Sequence, residues 1–88
     1  MNAILQTIAE GMAQNAIRCL EIQKELQDAS ENGPWRYPSS EIADMWIELT
    51  ERMEDAKRRV SAINATYDPS VATAIFTEMF SIVCDGVT

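Results

Sequence analysis

The sequence predicts an all-α fold, either a three-helix bundle or a long helical hairpin followed by a C-terminal helix, completed by oligomerisation. Three observations predict it. Apolar residues recur at helical spacing in three long segments, no stretch alternates like a strand, and turn formers collect between the segments. At 88 residues the chain makes one domain, 1–88, with no room for a second core. The helices are expected over about 2–27, 40–67 and 69–84, with a loop over 28–39.

In the first helix Leu5, Met12, Cys19 and Leu26 recur every seven residues, with Ile8 and Ile22 on the same side. Ala9, Ala13, Ala16, Ile17 and Leu20 widen the stripe beyond a two-helix seam, so contact with two neighbours is expected. Gly11 is a weak point, costing about 1 kcal/mol relative to alanine in a helix interior.

From Asp28 to Pro38 the periodicity stops among turn formers, and Pro34 and Pro38 bracket Trp35, Arg36 and Tyr37. Two aromatics and an arginine on a loop are residue types enriched at binding hot spots. They are read as a candidate partner-binding site; the alternative is that Trp35 and Tyr37 fold back to cap the bundle.

The second helix has the clearest pattern. Ser39 or Ser40 is the expected N-cap, with Glu41 and Asp44 in the first turns, where the helix dipole favours negative charge. Ile42, Trp46, Leu49, Met53, Ala56, Val60, Ile63 and Tyr67 follow at alternating spacings of four and three, an unbroken heptad seam expected to be buried. Glu48–Arg52, Glu54–Arg58 and Asp55–Arg59 are i,i+4 pairs with the acid first, and the seam's placement puts them outward. Asp44, Glu48, Glu51 and Asp55 then form an acidic row, the second candidate partner-binding surface.

The third helix has a signalled start, with Asp68 as N-cap and Pro69 at the first helical position, and Gly86 as its stop. It is apolar nearly all round, apart from a stripe of Ser70, Thr73, Thr77 and Ser81 and the single interior charge Glu78. Two partner helices cannot cover every face, so Ile75, Phe76, Met79, Phe80 and Val83 are expected to face outward as an oligomer interface, a dimer being favoured.

Composition removes most catalytic chemistry. The chain has no histidine, which excludes Ser-His-Asp and Cys-His arrangements, and its three glycines are too scattered to cradle a phosphate. Two cysteines are too few for a cysteine-based zinc site, so no cofactor or metal is expected. Carboxylate rows are the one remaining route. Glu48-x-x-Glu51 resembles half of the paired motif of the small all-α nucleotide pyrophosphatases, and that resemblance implies a Mg²⁺-dependent hydrolase as the alternative function.

The net charge of −7 argues against direct nucleic-acid binding and favours a protein partner with a basic surface; a merely well-solvated acidic surface is the plainer reading. The basic cluster Arg52, Lys57, Arg58 and Arg59 has acidic neighbours one turn earlier and reads as self-neutralised. Cys19 and Cys84 read as buried free thiols of a cytoplasmic protein. The start, Met1-Asn2-Ala3-Ile4, lacks the charged n-region of a signal peptide, and the apolar stretch from Val71 to Cys84 is too short to span a bilayer, so neither a signal peptide nor a membrane partner is expected. Met1 is read as the chain's own start. The expected function is a non-enzymatic protein-binding module, an inhibitor or adaptor of a larger complex. Phage-encoded antagonists of host defence, such as anti-CRISPR proteins, are similar in size and charge, though no motif carries the likeness.

Overall fold

A computed structural model describes residues 1–32 and 37–87, and among these it holds three α-helices and no strand: α1 (Ala3–Asn32), α2 (Ser39–Thr66) and α3 (Pro69–Val87). The all-α three-helix architecture is the one the periodicity predicts.

Each helix start has a local cause. The Asn2 side-chain oxygen accepts the Leu5 backbone N–H at 2.9 Å, capping α1. Asp68 caps α3 as expected: its Oδ1 accepts the Val71 backbone N–H at 3.0 Å and the Ser70 hydroxyl at 2.6 Å. These bonds, the Ser70 hydroxyl first, hold the Asp68 carboxyl below its ordinary value. At α2 the serine expectation fails. Pro38 is the cap residue, in extended backbone with its carbonyl accepting the Glu41 and Ile42 N–H groups, and Ser39 and Ser40 are already helical.

Two boundaries also move outward. α1 runs five residues past Gln27, because Gln27 donates to Glu31 at 3.1 Å and Asn32 donates to the Asp28 carbonyl at 3.1 Å, each one turn apart. α3 continues through Gly86 to Val87. A Cβ on Gly86 would stand 2.6 Å from Ile17 Cδ1, so the missing side chain lets the end of α3 lie against α1. At 19 residues α3 is long and apolar enough, by length and composition, to cross a membrane, which the shorter stretch 71–84 is not.

α1 is the spine. It runs antiparallel to α2, with Asn15 against Arg52 and Arg18 against Glu48, and parallel to α3, with Gln6 against Glu78 and Ile17 against Gly86. α2 and α3 scarcely touch each other. The result is an open slab of 49 × 26 × 17 Å rather than a closed bundle. Its radius of gyration is 15.6 Å, against about 12 Å for a compact domain of this length.

The core is split in two. Near the α2–α3 connection, Ala9, Met12, Ile63, Ala72 and Ile75 are buried together, with Leu5, Ile8, Tyr67, Val71, Phe76 and Met79 packed around them. At the other end, Ile22, Leu26 and Leu49 form a second cluster with Cys19, Ile42 and Met45. Neither cysteine is buried: Cys19 is half-covered and Cys84 exposed.

The α2 seam is where the structure departs most from the periodicity. Leu49 and Ile63 are buried at 5% exposure each, and Ile42, Ala56 and Tyr67 are half-buried. Trp46, Met53 and Val60, however, are 56%, 55% and 37% exposed. The stripe facing α1 is instead Ile42, Met45, Leu49, Arg52, Ala56 and Ile63, one step round the helix from the expected one. Both stripes have heptad spacing, so periodicity alone cannot say which of them α1 covers.

Candidate functional site

The rotation of α2 creates two surface features, a polar groove on one side of the α1–α2 pair and an apolar trough on the other.

The groove separates the two core clusters. Asn15, the only buried polar residue among those described, donates from Nδ2 to the Arg52 carbonyl at 3.0 Å and accepts from Arg52 Nη1 at 3.0 Å. Arg52 Nε donates to Glu48 Oε2 at 2.7 Å, and Arg18 donates to both oxygens of the same carboxylate at 3.0 and 3.3 Å. Arg18 also lies 3.5 Å from Glu21 and 3.8 Å from Glu25. Asn15, Arg18, Glu48 and Arg52, with Gly11, Gln14, Glu51, Asp55 and Arg59, line a groove of about 670 Å³. Hydrogen bonds from Arg18 and then Arg52 hold the Glu48 carboxyl below its ordinary 4.5, while the bond to Glu48 pushes Arg18 up.

These contacts alter the reading of the acidic row. Glu48 and Asp55 do not point outward. Both are half-buried toward α1, Glu48 held by two arginines and Asp55 by Arg59 at 2.8 Å. The physical reason is that α1 offers Asn15 and Arg18 at this level, so α2 answers with carboxylates rather than apolar side chains. Asp44 and Glu51 are exposed, as expected for the row. Of the three surface pairs, Glu48–Arg52 and Asp55–Arg59 form, whereas Arg58 approaches Asp55 at 3.7 Å, three residues away instead of four. Among the described residues no three acidic or cysteine side chains converge as a metal site requires.

The trough lies where α2 and α3 fail to close over α1. Its floor is Met12, Ala16 and Cys19, and its walls are Met53, Ala56 and Val60 on α2 and Met79, Phe80 and Val83 on α3. The space is about 390 Å³ and almost wholly apolar. Leu20 stands at its edge, 43% exposed, and Phe80 is 62% exposed. Trp46 continues the outer stripe of α2 one heptad before Met53.

The sequence-derived interface residues divide accordingly. Ile75 is fully buried against Ala9 and Met12, and Phe76 packs on the same cluster, so neither forms an outward patch. They face α1 because its wide stripe takes the whole inner side of α3, as the small residues Ala9 and Ala13 allow the close approach. Met79 and Val83 are half-buried on the trough wall, and Phe80 is its exposed edge. Tyr37 is half-buried, its hydroxyl donating to Asp28 Oδ2 at 3.1 Å. Trp35 and Arg36 lie outside the described residues.

Sequence reasoning missed Asn15, although a signal was present: it is three residues after Met12 and four before Cys19, a polar residue inside an apolar stripe. It also missed the trough as a unit, since the periodicity puts Met53, Ala56 and Val60 in the buried seam and leaves only the α3 wall of Met79, Phe80 and Val83 as an outward surface.

Comparison with known proteins returns no match to a family model, to a curated protein or to a solved structure.

Proposed function

We propose that this chain is a non-enzymatic protein-binding module that works as an inhibitor or adaptor, docking protein through the apolar trough. The supporting observation is the uncovered apolar wall itself. Leu20, Met53, Val60 and Phe80 are exposed together around one recess, and contiguous apolar surface of this kind marks interfaces on soluble proteins.

Charge suggests the chemistry of a further partner. The far end of the α1–α2 hairpin carries Glu21, Glu25, Asp28, Glu31, Glu41 and Asp44 against few basic residues. Such an end attracts a basic protein surface and raises its encounter rate at low salt. Nothing in the groove favours the hydrolase alternative specifically, because the Glu48 carboxylate is already engaged by Arg18 and Arg52.

The test is affinity capture with the tagged chain, with Phe80→Glu, and with the pair Glu41→Lys and Asp44→Lys. The reading expects a bound polypeptide, its own copy included, that Phe80→Glu releases. It also expects a basic partner that associates more slowly in salt and with the charge-reversed pair. Retention unchanged by Phe80→Glu would sink the trough as a docking surface.

A further inference from the structure

We infer that α2 has a second packing on α1, reached by a roll about its own axis, and that the hydrogen-bonded cluster of Asn15, Arg18, Glu48 and Arg52 is the catch that holds the first. The roll carries Trp46, Met53 and Val60 inward, so the helix that now walls the trough closes it.

The sequence of α2 supplies both packings. Ile42, Leu49, Ala56 and Ile63 form a common centre, flanked on one side by Met45, Arg52 and Arg59 and on the other by Trp46, Met53 and Val60. Successive residues stand about 100° apart round a helix, so the two rows lie about 50° to either side of that centre. A roll of about 50° exchanges them, and at a backbone radius of about 2.3 Å it moves each α-carbon only about 2 Å. Leu49 and Ile63 stay against α1 in either packing. α2 scarcely touches α3, so its orientation is set by α1.

Two opposing effects choose between the packings. Trp46, Met53 and Val60 are exposed, and turning inward removes their apolar surface from water. Against this, the roll draws Arg52 away from Asn15, which is buried and would lose both its acceptor and its donor. It also turns Glu48 outward, away from Arg18. The polar cluster therefore holds a helix whose apolar row favours the other orientation, which is the balance a two-state element requires. For a docking polypeptide the roll is a gate, because a partner that needs the trough open binds the first packing and holds it there. That consequence rests on the trough as a docking surface; the roll itself does not.

The test uses the whole chain without a partner. Trp35→Phe leaves Trp46 as its one tryptophan, and Cys84→Ser leaves Cys19 as its one thiol. The antiparallel register that pairs Arg18 with Glu48 places Trp46 level with Leu20, so the roll brings its indole over the Cys19 end of the trough. In Asn15→Leu the quenching of Trp46 by acrylamide should fall at least twofold and Cys19 labelling should slow at least tenfold, with helix content unchanged by circular dichroism. Adding Met53→Glu puts a charge on the row that has to turn inward, and should return both readings to wild-type values. If Asn15→Leu unfolds, Arg18→Gln with Glu48→Gln opens the catch more mildly and should give the same changes. A folded catch variant whose Trp46 and Cys19 stay as accessible as in wild type overturns the inference, and so does protection that Met53→Glu fails to reverse. Affinity capture indifferent to Phe80→Glu, by contrast, removes the docking reading and leaves these partner-free readings intact.

Discussion

Two methionine-sized side chains four residues apart on α2, equivalent by sequence pattern, should behave very differently when cut to alanine. Leu49 is 5% exposed and packs with Ile22 and Leu26, the smaller of the two cores. Removing it leaves a cavity that α1 cannot collapse into, because the neighbouring groove is propped by Asn15 and Arg52. Leu49→Ala should therefore cost about 2–5 kcal/mol. In a domain of this size each kcal/mol moves the midpoint by about 4–8 °C, so a drop of about 8–40 °C is expected. Met53 is 55% exposed on the trough wall, and Met53→Ala should cost about 1 kcal/mol or less in the monomer. Thermal unfolding followed by circular dichroism at low protein concentration measures both. Equal losses at the two positions would refute the placement of α1 on the inner stripe, and a larger loss at Met53 would restore the original seam.

Three other outcomes follow from the same contacts. Asn15→Ala strips the Arg52 guanidinium and carbonyl of one bond each and should destabilise by about 1–3 kcal/mol, measured by urea titration; a neutral result would mean that water replaces the amide without loss. Glu48 has its folded carboxyl held below 4.5, so its contribution to stability is fully present above that value and is lost as pH falls through the lowered folded value. Glu48→Gln should make acid unfolding shallower in that window, and an unchanged profile would remove the Arg18–Glu48–Arg52 linkage from the account. Gly86→Ala should push the Ile17 Cδ1 aside and so offset part of the helix-propensity gain of about 1 kcal/mol, while the same change in an Ile17→Val background, which lacks the methyl it would strike, should raise the melting midpoint more; equal shifts in the two backgrounds would remove the Gly86–Ile17 contact from the account.

How much was legible in the sequence depends on the kind of signal. Helix identity and number were legible because three long apolar repeats and two turn clusters leave no other period. The α3 start was legible because Asp68-Pro69 combines an acceptor for the N3 N–H with a residue that lacks its own. The α2 start was not, since Pro38 ends the extended segment one residue earlier than the serines suggest. The larger failure was rotational. A heptad fixes that a helix has a seam, but on α2 an apolar row (Trp46, Met53, Val60) and a mixed row (Met45, Arg52) flank the same Ile42, Leu49, Ala56 and Ile63, and Asn15 and Arg18 on α1 select the mixed row by demanding polar partners. That choice lies in the pairing of α1 with α2, so reading each helix separately could not find it. Ile75 and Phe76 went astray for a related reason: counting faces showed that α3 had too much apolar surface, but only the packing on α1 shows which part is surplus.

Cys19 offers the most direct test of the central claim, that the trough docks protein, because its thiol lies on the trough floor. In a Cys84→Ser background the rate of Cys19 labelling by a disulfide reagent reports access to that floor and nothing else. The account predicts rapid labelling of the isolated chain and a rate that falls at least tenfold when the polypeptide retained in affinity capture is added in excess, with Phe80→Glu labelling rapidly in both conditions. A Cys19 rate that the retained polypeptide leaves unchanged, in wild type and Phe80→Glu alike, would contradict it.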